Sequence, residues 1–186
     1  EKEAKKRGLD TETSVPLMID QYLKKSSVQM FTSTGVLSKS ELHSRCEVKW
    51  ENYSMKLQIE SRVLGDLVIN HILPAAKRYQ TVLLQNVQGV KQVFNASEAE
   101  KLSEQDILLI RSIENHTSAI TAKVNNMNKE RARANHIDNQ RERAITFHDY
   151  VVPLMEEIRQ HVDALEMVID DQLWPLPKYR ELLFIH

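Results

Sequence analysis

The chain has 186 residues, 25 Lys plus Arg against 26 Asp plus Glu, four glycines and five prolines. Balanced charge leaves no overall field to draw it onto nucleic acid or an anionic membrane, and the scarcity of glycine and proline argues against a loop-rich fold. If compact, such a chain buries on the order of 70% of its unfolded surface; it holds no apolar run of about 18 residues and no signal-peptide core, so a cytoplasmic, non-membrane protein is expected.

Glu1 to Arg7 reads as a charged helix end stopped by Gly8. Because the chain opens on Glu1 and already in helical pattern, it is expected to be a segment of a longer polypeptide. Ser14 is placed to cap a short helix with Pro16 in its first turn and Leu17, Met18, Tyr22 and Leu23 on one face. A second short helix over Val28 to Thr34 should end at Gly35, whose missing Cβ permits a left-handed stop.

Ser38 to Glu41 is a capping box, in which hydroxyl and carboxylate each satisfy an orphan amide of the first turn. Apolar residues then recur mostly at steps of three and four: Leu42, Cys46, Trp50, Tyr53, Leu57, Leu64, Val68, Ile72, Tyr79, Leu83, Val87, Val90 and Phe94. This predicts one very long helix or two in line, about 85 Å if unbroken at 1.5 Å per residue. Pro74 should kink it, since the amide that would bond the Asn70 carbonyl is missing. Ser97 and Glu100 form a second box ahead of Leu109, Ile113, Ile120, Val124, Met127 and Ala134, with polar gaps at Thr117 and Arg131. The third stripe, Ala144, Phe147, Val151, Met155, Ile158, Val162, Leu165 and Ile169, follows a cap expected at Asp138 and has the alternation of left-handed supercoiled packing.

Pro175 and Pro177 end that helix after Leu173. Trp174, Leu176, Tyr179, Leu182, Leu183 and Phe184 then make a tail too apolar to stand in water, so it should dock on this domain or a neighbour; these six are the candidate interaction residues. Short connections near Asn95 and Asp138 make adjacent helices antiparallel. The fold class expected is all-α: an elongated antiparallel bundle of three long helices, the first kinked at Pro74, with short N-terminal helices over 1–37, the bundle over 38–173 and a non-helical docking tail over 174–186. No strand alternation and no internal repeat stand out.

Chemistry is sparse. The four glycines are too scattered for a phosphate-binding loop, and neither Glu-x-x-His nor His-Glu-x-x-His occurs. Cys46, the single cysteine, fits a reduced thiol packed as a small hydrophobe better than a nucleophile. Asn52, Asn95 and Asn115 begin glycosylation sequons that read as chance matches without a secretory signal. Glu157 and His161 should make a surface pair. His71, beside the expected kink, should hydrogen-bond loosened carbonyls, and His116 and His148 are placed to face each other between helices. Lys129, Arg131, Arg133, Arg141 and Arg143, interleaved with Glu130, Asp138 and Glu142, read as a solvated turn rather than an RNA site. Asp170 and Asp171 sit at the unfavourable end of a helix, either to meet basic groups or simply to be solvated. No catalytic, cofactor-binding or metal-ligating set emerges, which leaves a structural or interaction module.

Three stretches are more specific than composition or periodicity: LHSRCEVKWENY at Leu42 to Tyr53, IESRVLGDLVINHILPAAKRYQ at Ile59 to Gln80, and DDQLWPLPKYRELLF at Asp170 to Phe184. Together they resemble the C-terminal region of type III glutamine synthetase, the large bacterial form. The resemblance implies a parent enzyme that ligates ammonium to glutamate with ATP, using Mg or Mn, in a homo-dodecamer of two hexameric rings. None of that family's metal, glutamate or ATP motifs lies in this stretch, so no cofactor is expected here. The implied role is a non-catalytic appendage, with residues 1–37 as the link to a catalytic domain and with that domain and neighbouring subunits as partners. The alternatives are a free-standing helical scaffold without enzymatic activity and a bundle binding metal or haem through His71, His116 and His148.

Overall fold

The computed structural model describes residues 2–9 and 11–183, setting aside the side chains of Tyr179 and Arg180. Among the described residues the regular elements are all helical, as the all-α class requires. In chain order they are α1 (Lys2–Lys6), α2 (Val15–Asp20), a 3-10 turn (Gln21–Leu23), α3 (Lys25–Ser33), α4 (Lys39–Leu67), α5 (Leu73–Val93), α6 (Ala96–Asn135), α7 (Gln140–Thr146), α8 (Val152–Glu166) and α9 (Tyr179–Leu183). Two π-helical turns, Val68–Ile72 and Phe147–Val151, join α4 to α5 and α7 to α8. None of the described helices is long and apolar enough to cross a membrane.

The helix ends follow local chemistry, with three corrections to the sequence reading. Gly8 and Gly35 close α1 and α3 at φ 70° and 69°. Leu9 bonds back to the Ala4 carbonyl at 2.9 Å and Val36 to that of Phe31 at 3.1 Å, the Schellman arrangement that a left-handed residue allows. The box at the start of α4 forms as expected: the Ser38 amide donates to Glu41 Oε2 at 2.7 Å and the Glu41 amide to Ser38 Oγ at 3.2 Å. Those bonds, the backbone one foremost, hold the Glu41 carboxyl below its ordinary value. Ser14, by contrast, has a cap's extended backbone but makes no side-chain cap bond. Pro16 at the second helical position has no amide to offer it, and the Ser14 amide itself goes to Glu12 at 2.9 Å.

α6 is capped by Asn95 and not by Ser97. Asn95 Oδ1 accepts from the Glu98 amide at 3.0 Å, so Ser97 lies inside the helix. Phe94, expected in the buried stripe, leaves α5 in an extended conformation and stays 45% exposed. α7 likewise starts after Asn139, whose side chain accepts from the Glu142 amide at 3.0 Å, and not after Asp138.

Each π turn ends two residues before a proline, Pro74 or Pro153. The Leu73 amide reaches the Val68 carbonyl and the Val152 amide that of Phe147, one residue further back than in an α-helix. A proline ring clashes with the carbonyl four residues earlier, and a wider turn moves that carbonyl aside. Helix therefore continues on both sides of Pro74. Both turns keep their inward apolar residues buried, Val68 and Ile72 in one and Phe147 and Val151 in the other.

Two compact units divide the chain: Glu1–Ser61 with Met127–Pro153, and Arg62–Asn126 with Leu154–His186. In the first, Ile19, Cys46, Trp50 and Ala144 form a buried cluster with Leu23 and Tyr53 packed against it. The Trp50 indole N–H donates to the Pro16 carbonyl at 3.1 Å, and the Arg141 guanidinium grips both Asp20 oxygens at 2.8 and 2.6 Å. These bonds fasten α2 to α4 and α7. Cys46 is buried as expected, and burial pushes its thiol above the ordinary value.

In the second unit α5 and α6 run antiparallel, as their pairs show: Gln80 reaches Glu114 at 3.1 Å while Asn86, further along α5, reaches Asp106 at 2.6 Å. α6 and α8 pair in the same sense, His116 with His161 and Lys123 with Glu157. Ile113, Ile120 and Val124 of α6 and Ile158, Val162 and Leu165 of α8 are buried. Thr117, a polar gap in the stripe, is buried too; its hydroxyl donates to the Glu114 carbonyl at 3.1 Å, so the helix itself satisfies it.

Candidate functional site

The C-terminal tail is built in two parts. Beyond α8 the Asp170 carbonyl accepts from the Leu173 and Trp174 amides, each at 3.0 Å, and Asp170 Oδ1 accepts from the Gln172 amide at 2.7 Å. This compact turn brings Trp174 inward to 7% exposure. Lys178 then reaches back: its ammonium donates to the Glu166 carbonyl at 3.1 Å and pairs with Asp171. A cation on the last carbonyls of α8 is favoured by the helix dipole. The two aspartates at this helix end are thus used by the tail itself, one in the turn and one on Lys178.

The expected non-helical tail is corrected by α9. No proline follows Pro177, and Tyr-Arg-Glu-Leu-Leu is a helix-forming run that Glu181 caps by accepting from the Lys178 amide at 3.3 Å. Of the six candidate docking residues, Trp174 is buried in its own unit and Leu176 is half-buried. Leu182 and Leu183 stand 64% and 72% exposed. The Tyr179 side chain and Phe184 lie outside the described residues. The apolar set therefore separates into an anchor, Trp174, and a presented pair, Leu182 and Leu183.

The histidines arrange differently from the sequence reading. His116 meets His161, with the two Nδ1 atoms 2.9 Å apart, while His148 Nδ1 bonds Asp149 Oδ1 at 2.8 Å and His71 is exposed on its π turn. Glu157 turns to Lys123 across the helix pair, not to a surface bond with His161. His161 had no sequence signal as the partner of His116, because the two stand 45 positions apart. Among the described residues no three His, Cys, Asp or Glu side chains gather as a metal site would need.

Members of the basic stretch act as tethers more than as a solvated turn. Arg133 pairs with Glu130 at 2.8 Å and lies 4.2 Å over the Tyr150 ring. Arg143 Nε donates to the Ile137 carbonyl at 2.8 Å, and Arg141 is committed to Asp20, which raises the guanidinium above its ordinary value. A groove of about 430 Å³ between α5 and α6 is lined by Leu73, Lys77, Glu114 and Thr117 among others. Its hydroxyls are already spent: Ser118 donates to Glu114 Oε1 at 3.3 Å and Thr121 to the Thr117 carbonyl at 2.8 Å.

Residues 1–91 match the family model described as the glutamine synthetase C-terminal domain. The chain is 46% identical over 182 residues to a glutamine synthetase of Bacteroides fragilis and 28% identical over 192 residues to a type-3 glutamine synthetase of Dictyostelium discoideum. A glutamine synthetase of Butyrivibrio fibrisolvens is 23% identical over 182 residues. Each match covers 98% of this chain and 25% of the relative, so the chain spans about a quarter of the length of the curated relatives it matches.

Proposed function

Because the chain belongs to the family of the glutamine synthetase C-terminal domain, we propose that it is a non-catalytic, architectural domain of a type III glutamine synthetase. The parent enzyme would join ammonium to glutamate with ATP in the cytoplasm, and ATP and Mg or Mn would be held by the rest of the polypeptide. The observation that carries this reading is the coverage: the similarity takes in nearly all of this chain and only a quarter of each relative. A structural role is supported by how the side chains are spent. Trp50 and Arg141 fasten α2 in one unit, and Lys77, Lys123 and Lys178 cross between helices or back onto a helix end in the other.

On this reading residues 1–37 link to the catalytic domain, 38–173 form the helical body and 174–186 dock. The exposed pair Leu182 and Leu183 would meet the catalytic domain or a neighbouring subunit of a homo-dodecamer. Two measurements test it. The isolated chain should form no glutamine from glutamate, ammonium and ATP, and turnover by it would refute the non-catalytic role. In the full enzyme, replacing Leu182 and Leu183 by Ser should shift the particle mass by light scattering toward smaller species; a normal particle with normal activity would show that the tail does not dock.

A further inference from the structure

We propose that His116 and His161 form an acid-sensitive latch between α6 and α8, closed around one shared proton at neutral pH and opened when both rings are protonated. The Nδ1 atoms are 2.9 Å apart, the ring centroids 5.2 Å apart and the planes inclined by 64°. The centroid separation exceeds the nitrogen separation by about the full sum of the two ring radii, the largest excess that geometry allows. Each Nδ1 therefore lies on the line between the rings and points at the other, which is the geometry of an N–H···N hydrogen bond.

That geometry decides between two chemistries. A metal shared by the rings would sit where both lone pairs converge, about 2.0–2.1 Å from each nitrogen. Here the two nitrogens aim at each other instead of at a common third point. The hydrogen bond needs one donor and one acceptor. A neutral pair supplies them by taking opposite tautomers, and a singly protonated pair supplies them with charge assistance. Two imidazolium rings bring two donors, no acceptor and two positive charges to the same spot, so the contact must open.

The charged groups acting on His161 are His116 and Lys123 from α6 and Glu157 from its own helix. Burial first, then His116, then Lys123 hold His161 below the ordinary histidine value of 6.5, while Glu157 pulls the other way. Glu157 is itself engaged by Lys123. A histidine whose folded-state value is depressed contributes stability that is complete above the unfolded value and is lost as the pH falls toward the folded one. The latch therefore weakens on the acid side of 6.5.

The test combines imidazole nitrogen NMR with thermal unfolding of the native chain, His116→Gln and His161→Gln, from about pH 8 to about pH 5. The latch requires opposite tautomers for the two rings at pH 8, a His161 midpoint below 6.5, and a native Tm that falls with acid more steeply than that of either variant. Two rings in the same tautomer with independent midpoints, or a fall in Tm equally steep in all three proteins, would overturn it. Should a variant fail to fold, the tautomers and midpoint of the native chain decide the matter.

Discussion

Trp50 on α4 donates its indole N–H to the carbonyl oxygen of Pro16 on α2 across 3.1 Å, and both residues are buried. One bond thus closes the lid of short N-terminal helix over the Cys46 and Ala144 cluster. Trp50→Phe keeps most of the ring volume and leaves the Pro16 carbonyl without its donor. The expected cost is about 1–3 kcal/mol, the penalty of an unsatisfied buried acceptor. Urea unfolding measures it, and an unchanged midpoint would mean that water replaces the indole.

Arg141 and Asp20 are 121 positions apart in sequence and joined by two parallel hydrogen bonds. The guanidinium side is 42% exposed, so solvent screening limits the pair to about 0.5–1 kcal/mol. A double-mutant cycle with Arg141→Ala and Asp20→Ala should return a coupling energy in that range. Arg141→Lys should lose most of it, because an ammonium cannot reproduce the fork. A coupling of zero would make the contact incidental.

Ile158 on α8 has no solvent exposure and sits in the middle of its helix. Ile158→Ala should cost about 2–5 kcal/mol through lost burial and a residual cavity. Denaturant titration checks this, and a loss under about 1 kcal/mol would mean that α8 is not packed as described.

In the tail, Trp174→Ala should cost about 3–5 kcal/mol, since that indole is 7% exposed. Leu182→Ala and Leu183→Ala, at 64% and 72% exposure, should each stay within about 0.5 kcal/mol. Thermal unfolding of the three variants separates anchor from presented surface. Equal losses in all three would place the leucines in the same packing as the tryptophan.

Lys77 and Gln80 of α5 both donate to the Glu114 carboxylate of α6. Lys77's hydrogen bond first and Gln80's second hold that carboxyl below the ordinary 4.5. A lowered carboxyl contributes stability that is complete above the unfolded value and lost as the pH drops through the folded one. The Tm gap between the native chain and Glu114→Gln should therefore be constant above about pH 5 and narrow below 4.5. A gap that does not narrow would show that the carboxylate contributes no charge-dependent stability.

Much of the helical framework was legible in the chain because it rests on short-range causes. The step of three and four placed Leu42, Cys46, Trp50, Ile113, Ile158 and Leu165 inside, and they are buried. Ser38 and Glu41 needed only each other to start α4, and Gly35 needed only its missing Cβ to end α3. Neighbouring residues of similar capping chemistry were not told apart: the Asn95 side chain caps α6 in place of Ser97, and the Asn139 side chain caps α7 in place of Asp138. Pro74 announced a disturbance but not its form, a wider turn that leaves helix on both sides, and Pro153 repeats it.

The sequence by itself determined that this protein is helical, where its inward stripes run and which family it resembles, since periodicity, caps and a distinctive tail are properties of neighbours along the chain. Only the tertiary structure decided that His116 meets His161, that Arg141 holds Asp20, and that Trp174 turns inward while Leu182 and Leu183 stay out. Those relationships depend on which helix faces lie against each other. A partner 45 or 121 positions away leaves no trace in local pattern.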